Sequence, residues 1–188
     1  MGINEVTGGS RAVFLDRDGV INRAVIRDGK PYPPASLKEV EILPGAITSS
    51  RRLAAAGYLL IGITNQPDVA RGTQSREEVE SINGWIMHQL PLREILVCYH
   101  DDADQCDCRK PKPGLIFRAA AKYGLDLSQS WMVGDRWKDI AAGHAAGLKT
   151  IFVDYDYAEA FACPPASSEV RDVSQVADIV LKGIRADA

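Results

Sequence analysis

Five residues whose types could hold a divalent cation and a phosphate group stand just after apolar segments or in a cationic loop: Asp16, Asp18, Thr64, Lys110 and Asp135. Three carboxylates that meet at one place repel one another unless a cation such as Mg²⁺ neutralises them. A hydroxyl and a lysine beside that ion would suit phosphate oxygens. An aspartate could then attack phosphorus and form an aspartyl-phosphate. These residues therefore indicate metal-assisted phosphoryl transfer.

Alternating strands and helices would bring these residues together. Apolar runs bounded by polar or turn residues predict buried strands at 12–15, 58–63, 94–99, 131–135 and 149–154. Helical spacing of apolar residues predicts helices over 47–57, 75–90, 115–123, 136–146 and 174–184. This order predicts one α/β domain over residues 1–188, with a Rossmann-like, mainly parallel sheet and helices on both faces. Because such sheets bind ligands beyond the carboxyl ends of their strands, the polar residues should converge there.

Three connecting segments carry turn signals. The Tyr-Pro-Pro sequence at 32–34 lies in a polar stretch and predicts a loop or a hairpin flap. A turn is expected at Pro44 and Gly45. Residues 155–169 are mixed in character and contain Pro164 and Pro165, so a surface loop is expected there.

A second group of residues has the types and spacing of a metal site. Cys98 and His100 flank one residue, and so do Cys106 and Cys108. Four such ligands match tetrahedral Zn²⁺, and because catalytic zinc keeps a position open for water, a closed shell indicates a structural ion. The alternative is that Cys98 packs at a strand end and the other cysteines share no role. A bound ion would order the loop that leads into Lys110.

Composition argues against several classes of function. The net charge of −3 and the pI of about 5.6 disfavour a nucleic-acid or membrane surface held by basic charge. No apolar run approaches the roughly 20 residues of a membrane span, and the first residues lack the apolar core of a signal peptide. Clustered cysteines suit a reducing compartment better than a disulfide scaffold. We expect a cytoplasmic monomer that acts on a small molecule, with no nucleic-acid or membrane partner.

Four ordered motifs resemble the haloacid dehalogenase superfamily of phosphatases: FLDRDGVIN, GITN, RKPKPG and VGDRWKD. By that resemblance, Asp16 is the nucleophile and a Mg²⁺ ligand. Asp18 is the general acid and then the general base, with its backbone carbonyl on the metal. Asp135 completes the metal shell and Asp139 supports it. The intervals between motifs are filled by ordinary elements, so the resemblance implies a capless member with an open site.

The same resemblance assigns the phosphate-binding groups. Thr64, with the amide of Asn65, would hold the phosphoryl oxygens. Lys110 would offset the charge between the phosphate and the nucleophile. The resemblance implies a phosphoric monoester hydrolase that needs catalytic Mg²⁺, and the four cysteine and histidine ligands add structural Zn²⁺.

The cysteine-rich loop is similar to those of the heptose 1,7-bisphosphate phosphatases and of their relatives, the histidinol-phosphatases. TNQPDVARG and RKPKPG resemble the heptose enzymes, whereas GTQS, GDR and the five-residue gap between His100 and Cys106 resemble the histidinol enzymes. By the heptose resemblance, Arg109 and Arg136 would bind a second phosphate or sugar hydroxyls. Two arginines favour the anionic substrate, so removal of the 7-phosphate of D-glycero-D-manno-heptose 1,7-bisphosphate is expected. The alternatives are a histidinol-phosphate phosphatase and a catalytically inert, zinc-stabilised binding module.

Overall fold

The computed structural model describes residues 9–159 and 162–186. Six parallel strands form one sheet, in the order β5-β4-β1-β6-β7-β8; they are β1 (Ala12–Leu15), β4 (Leu59–Asn65), β5 (Glu94–Cys98), β6 (Trp131–Gly134), β7 (Lys149–Val153) and β8 (Ser168–Val170). Two further strands, β2 (Val25–Arg27) and β3 (Lys30–Tyr32), form an antiparallel hairpin. Five helices complete the fold: α1 (Pro44–Ala55), α2 (Arg76–Gln89), α3 (Gly114–Tyr123), α4 (Trp137–Ala145) and α5 (Val176–Ala186).

Strand β1 lies at the centre of the sheet, and all four of its residues are buried. Val13 and Leu15 pack into a core with residues of α1, α2 and α5. Ala12 and Phe14 pack on the opposite face, against α3 and α4. A strand covered on both faces must be apolar at every position, which is why AVFL shows no alternation. The predicted parallel α/β architecture, with helices on both faces, is confirmed.

The strand order places a crevice at the carboxyl end of β1. From β1 the chain builds β4 and then β5 on one side, and it crosses over to build β6, β7 and β8 on the other. A sheet whose connections diverge in this way leaves a crevice at the point of reversal, where ligands bind. The carboxyl ends of β1, β4 and β6 border it.

Two expectations for the connecting segments were wrong. Residues 155–169 are not wholly a loop, because Ser168–Val170 pair with β7 as a short edge strand. Pro44 and Gly45 begin α1 instead of forming a turn. Proline suits the first turn of a helix, since its missing N–H has no partner there in any case. Gly45 allows close packing, because a Cβ would lie 2.5 Å from the backbone of Ser174.

The predicted flap is present as the β2–β3 hairpin. Between β1 and the lysine-containing loop after β5, the described chain contains this hairpin, α1, β4, α2 and β5, together with short 3₁₀ turns, and no inserted cap domain. No helix among the described residues is both long enough and apolar enough to cross a membrane.

Candidate active site

Three buried carboxylates meet at the crevice. Asp16 directly follows β1, and its amide donates to the carbonyl of Val133 on the neighbouring strand (3.0 Å). Asp135 directly follows β6, and Asp139 lies in the first turn of α4. One carboxylate oxygen from each of the three aspartates lies within 4.8 Å of the others. Asp139, expected only to support the metal ligands, is therefore part of the same cluster.

Lys110 bridges two of these carboxylates. Its Nζ donates to Oδ1 of Asp16 (2.6 Å) and to the carbonyl of Ile63 (2.9 Å), and it lies 2.6 Å from Oδ1 of Asp139. All three ammonium protons therefore have acceptors. Burial would lower the pKa of Lys110, but Asp139 and Asp16 outweigh that effect and raise it above its ordinary value. Lys110 is a fixed positive charge beside the proposed nucleophile.

The cluster keeps more negative charge than this lysine neutralises. Burial, with the neighbouring Asp139 and Asp18, raises the pKa of Asp16 from 3.8 to about 7 despite Lys110. The pKa of Asp135 is also raised well above its ordinary value. Burial is the main cause, and repulsion from Asp16 and Asp139 adds to it. Asp135 is 1 % exposed, and its carboxylate oxygens make no hydrogen bond of normal geometry among the described residues, although the nearby Tyr157 hydroxyl partly lowers its pKa. A buried carboxylate with so few donors fits a hard divalent cation, which would neutralise it.

Two glycines allow the carboxylates to approach the backbone. A Cβ at Gly19 would lie 1.8 Å from Oδ2 of Asp135, and Gly19 has φ +95°, a conformation that strains other residues. A Cβ at Gly134 would lie 2.0 Å from Cβ of Asp139. Glycine is therefore required at both positions to keep the carboxylate cluster compact.

The end of β4 supplies the predicted phosphate-binding residues. Thr64 is buried, and its Oγ1 accepts a hydrogen bond from Nε2 of Gln66 (2.8 Å). The side chain of Asn65 exchanges two hydrogen bonds with the backbone of Lys110, at 3.0 and 3.1 Å. Asn65 thus ties the end of β4 to the lysine loop. Its side chain positions Lys110, a role that sequence reasoning did not identify.

Asp18 lies beside the carboxylate cluster, but its side chain is bound by a different set of residues. Its oxygens accept hydrogen bonds from Arg17, Asn22 and Gln66. None of these three residues was singled out from the sequence, although all stand within or beside the quoted motifs FLDRDGVIN and GITN. The available signal was the polar type of Arg17 and Gln66, which stand close after buried strands, and of Asn22, which ends the first motif.

A small pocket of about 70 Å³ contains the reaction groups. Its lining includes Asp16, Asp18, Thr64, Asn65, Lys110 and Asp139, together with Arg136, Lys138 and the Pro31–Pro33 segment at the end of the hairpin. The hairpin therefore covers the site in place of a cap. A larger cavity of about 640 Å³ shares Asp135 and Arg136 with the site, and its lining carries five carboxylates and one arginine.

The two arginines predicted to bind substrate both have protein partners. Nε of Arg109 donates to Asp102 (2.7 Å), and Nη1 donates to the carbonyl of His100 (3.3 Å). Arg136 forms a two-pronged ion pair with Glu159, in which Nε lies 2.8 Å from Oε2. Arg136 lines the small pocket, whereas Arg109 does not. A substrate anion would have to compete with these carboxylates.

The cysteine-rich loop forms a compact four-ligand cluster. Four ligand atoms lie within 4.8 Å of one another, one each from Cys98, His100, Cys106 and Cys108. None of the three cysteines forms a disulfide. The Sγ–Sγ separations are 3.3, 3.5 and 3.7 Å, and Nδ1 of His100 lies 3.6 and 3.3 Å from two of the sulfurs. Tetrahedral zinc, with Zn–S of about 2.3 Å and Zn–N of about 2.0 Å, has edges of about 3.8 and 3.5 Å. The cluster therefore has the size of a tetrahedral metal site.

Comparison with known proteins agrees with this geometry. The family model described as HAD-hydrolase-like matches residues 107–176. The D-glycero-beta-D-manno-heptose-1,7-bisphosphate 7-phosphatase of Pasteurella multocida is 35% identical over 150 residues, which cover 74% of this chain and 78% of that protein. The D-glycero-alpha-D-manno-heptose-1,7-bisphosphate 7-phosphatase of Photorhabdus laumondii is 34% identical over 155 residues, covering 76% and 81%.

A solved structure extends the similarity over nearly the whole fold. The D,D-heptose 1,7-bisphosphate phosphatase from B. bronchiseptica, complexed with magnesium and phosphate, superposes with a TM-score of 0.79 and 28% sequence identity. The match covers 92% of this chain and 99% of that chain. The inert binding module is thereby disfavoured. The chain belongs to the haloacid dehalogenase-like phosphatases, which are phosphoric monoester hydrolases, and within them to the family of the heptose-1,7-bisphosphate 7-phosphatases.

Proposed function

We propose that this protein is a Mg²⁺-dependent phosphatase that removes the 7-phosphate of D-glycero-D-manno-heptose 1,7-bisphosphate through an aspartyl-phosphate. The carrying observation is the buried cluster of Asp16, Asp135 and Asp139 bridged by Lys110. The names of the relatives support the substrate, and the magnesium and phosphate of the B. bronchiseptica complex support the metal. The relatives are named for both anomers, so the substrate comparison includes both.

The positions of the side chains support the following reaction. Asp16, Asp135 and Asp139 would hold Mg²⁺, which when bound neutralises charge on the carboxylates and the phosphate. An Asp16 oxygen attacks phosphorus, and the bond from phosphorus to the sugar oxygen breaks as Asp18 protonates that oxygen. Asp18 then takes a proton from water, whose oxygen displaces Asp16 from phosphorus. Thr64, with the amide of Asn65, would bind the phosphoryl oxygens, and Lys110 would offset the charge between the phosphate and Asp16.

The cysteine-rich cluster supports a separate, structural role for Zn²⁺. Four ligands close a tetrahedral shell and leave no position for water. Cys108 stands two residues before Lys110, and Arg109 between them is held by Asp102. We propose that zinc fixes the start of this loop and so helps to position Lys110. The free thiols of the site support a reducing compartment, which we propose is the cytoplasm.

The charge distribution around the site favours binding of the second phosphate beside Lys138, and not in the large cavity. The large cavity has five carboxylates in its lining. Arg136 pairs with Glu159, and Arg171 pairs with Asp154 and Asp156, so carboxylates still outnumber these cations and would repel a phosphate. Lys138, on the first turn of α4, lines the small pocket. Unlike Lys110, Arg109 and Arg136, Lys138 forms no ion pair with a carboxylate of the described chain. Its Nζ lies 5.7 Å from the centre of the Trp137 ring, and it acts on Asp102 and Glu159 only at longer range. We propose that Lys138, with Arg109 and Arg136, binds the non-reacting phosphate.

A substrate comparison tests the proposed function. kcat/KM would be measured with Mg²⁺ on both anomers of the heptose bisphosphate and on histidinol phosphate. We expect one anomer of the bisphosphate to exceed histidinol phosphate by about 10²-fold or more, since each lost charge contact costs about 1.5–3 kcal/mol. The acidic cavity suits a cationic amine, so a preference for histidinol phosphate would replace the heptose assignment. Failure on every phosphate ester with Mg²⁺ would refute the phosphatase itself.

Replacing Lys138 by glutamine is expected to raise KM for the bisphosphate by about 10-fold with little change in kcat. Loss of a charge contact to a group that does not react weakens ground-state and transition-state binding equally. Hydrolysis of 4-nitrophenyl phosphate, which has no second phosphate, should be unchanged. Lys122→Gln is the matched control, because Lys122 is ion-paired with Glu94 on the surface. Equal losses on both substrates would contradict this role for Lys138.

A further inference from the structure

Arg17, between the two aspartates of the first motif, is completely buried. Removing a guanidinium from water costs several kcal/mol, and good geometry with its partners must offset that cost. Arg17 does not line the small pocket or the large cavity. Its side chain instead reaches α2, where Nη1 donates to Oδ1 of the buried Asn83 (3.0 Å). The proposed reaction gives this buried charge no direct part.

The guanidinium is bound to the carboxylate of Asp18. Nε donates to Oδ1 (3.1 Å) and Oδ2 (3.2 Å), and Nη2 lies 3.0 Å from Oδ2 as an ion pair without hydrogen-bond geometry. This contact uses one edge of the planar guanidinium, and Asn83 accepts from the other end. Arginine is suited to this arrangement because its donors form a rigid fork, which lysine lacks.

Asn22 and Gln66 complete the surroundings of Asp18. Nδ2 of Asn22 donates to Oδ1 (3.0 Å), and Nε2 of Gln66 donates to Oδ2 (2.9 Å). The same Gln66 nitrogen donates to Thr64. Each Asp18 oxygen therefore has donors from at least two residues, and the Asp18 side chain stays 13% exposed toward the pocket.

We propose that Arg17, held by Asn83 of α2, is a positioning residue that fixes the carboxylate of Asp18 for proton transfer. This inference rests on the proposed function, in which Asp18 gives a proton to the leaving oxygen and later takes one from water. The Arg17 side chain contacts neither the substrate nor the carboxylates proposed to hold Mg²⁺, and it acts through the side chain of Asp18. A misplacement of about 1 Å in such a group can cost about 10²-fold in rate.

The test separates the two half-reactions with 4-nitrophenyl phosphate. Its leaving group needs no proton, so phosphorylation of Asp16 should stay fast in Arg17→Lys and appear as a burst of nitrophenolate. The steady-state rate after the burst should fall by about 10–10²-fold, because hydrolysis of the aspartyl-phosphate by water needs Asp18 as base. With an alkyl phosphate, such as glycerol 3-phosphate, the burst of alcohol should slow as well. Loss of the nitrophenolate burst together with the steady state would overturn the proposal.

A double-mutant cycle tests whether Arg17 acts through Asp18. Asp18→Asn alone should show the same burst and slow steady state, and adding Arg17→Lys should produce no further loss in rate. Independent action would instead give multiplied losses, since the effects of uncoupled residues add as free energies. Multiplied losses would overturn the proposal.

Asn83→Ala provides a milder variant if Arg17→Lys does not fold. Asn83 lines neither cavity and contacts Arg17 alone in this network. For Asn83→Ala we expect the same nitrophenolate burst and a steady-state rate lowered several-fold. An unchanged steady-state rate would overturn the role of α2. Arg52→Lys is the matched control, because Arg52 pairs with Asp178 on the surface and its replacement should change neither phase. A wild-type protein inactive on both substrates would refute the proposed function instead.

Discussion

Replacing Asp16 by asparagine is expected to lower kcat by at least about 10⁴-fold on every substrate. The amide cannot form the phosphoryl ester, and removal of a covalent nucleophile has costs of this size or larger. Lys110 would keep Asp139 and the carbonyl of Ile63 as acceptors. The measurement is steady-state turnover with Mg²⁺, accompanied by zinc content and Tm.

The same substitution is expected to leave the metal-free protein folded. The effect of the substitution on the stability of the metal-free protein should depend on pH. The pKa of Asp16 is raised from 3.8 to about 7, mainly by burial. A carboxyl with a raised folded-state pKa contributes stability below its unfolded pKa that is lost as the pH rises through about 7. Above that pH the ionised Asp16 weakens the metal-free fold, so Asp16→Asn should keep or raise Tm at pH 8.

The control for this experiment is Asp178→Asn, which removes an exposed carboxylate paired with Arg52. Its turnover should match the unmodified protein. If Asp16→Asn retained substantial turnover with normal metal content, the nucleophile would have to be another group. A large fall in Tm at pH 8 without Mg²⁺ would contradict the stability argument while leaving the chemical one untouched.

Removing one ligand of the cysteine-rich cluster is the second change with a large expected effect. Cys108→Ser should abolish stoichiometric zinc and lower Tm by about 10 °C or more. Zinc binding contributes roughly 10–16 kcal/mol in small sites, and 1 kcal/mol corresponds to about 2–4 °C in a domain of this size. kcat should fall by about 10–10²-fold, because the loop that carries Lys110 loses its fixed start. The bonds from Asn65 to the Lys110 backbone would limit the loss.

The measurements are zinc per chain, Tm by calorimetry and kcat with Mg²⁺. Cys163→Ser is the matched control, because Cys163 lies outside the cluster and its thiol donates to the Trp137 carbonyl (3.4 Å). Its zinc content, Tm and kcat should be unchanged. A Cys108→Ser protein with one zinc per chain and an unchanged Tm would show that the cluster does not hold the ion.

The sequence alone determined the fold class, five of the six strands of the main sheet, and the sheet edge at which the polar residues meet. Apolar runs that end in acidic residues mark strands buried on both faces, and their carboxyl ends must share one edge of a parallel sheet. Asp16, Thr64 and Asp135 could be placed together for that reason. The spacing of Cys98, His100, Cys106 and Cys108 was equally informative, because tight pairs of ligands are short-range patterns.

Tertiary structure decided which partners the charged residues have. Asp139 could have been a surface charge of α4, and only the close approach of Gly134 brings it to Lys110. Arg136 looked free to bind substrate, yet Glu159, twenty-three residues later, holds it.

The partners of Arg17, which lies between Asp16 and Asp18 in the motif FLDRDGVIN, were likewise decided by the tertiary structure. Sequence periodicity shows which residues are buried, but the pairing of buried polar groups depends on elements far apart in the chain. Arg17 meets Asn83 across sixty-six residues because α2 packs beside β1, where both are enclosed. Geometry of that kind follows from the assembled fold, in which buried charges must find partners.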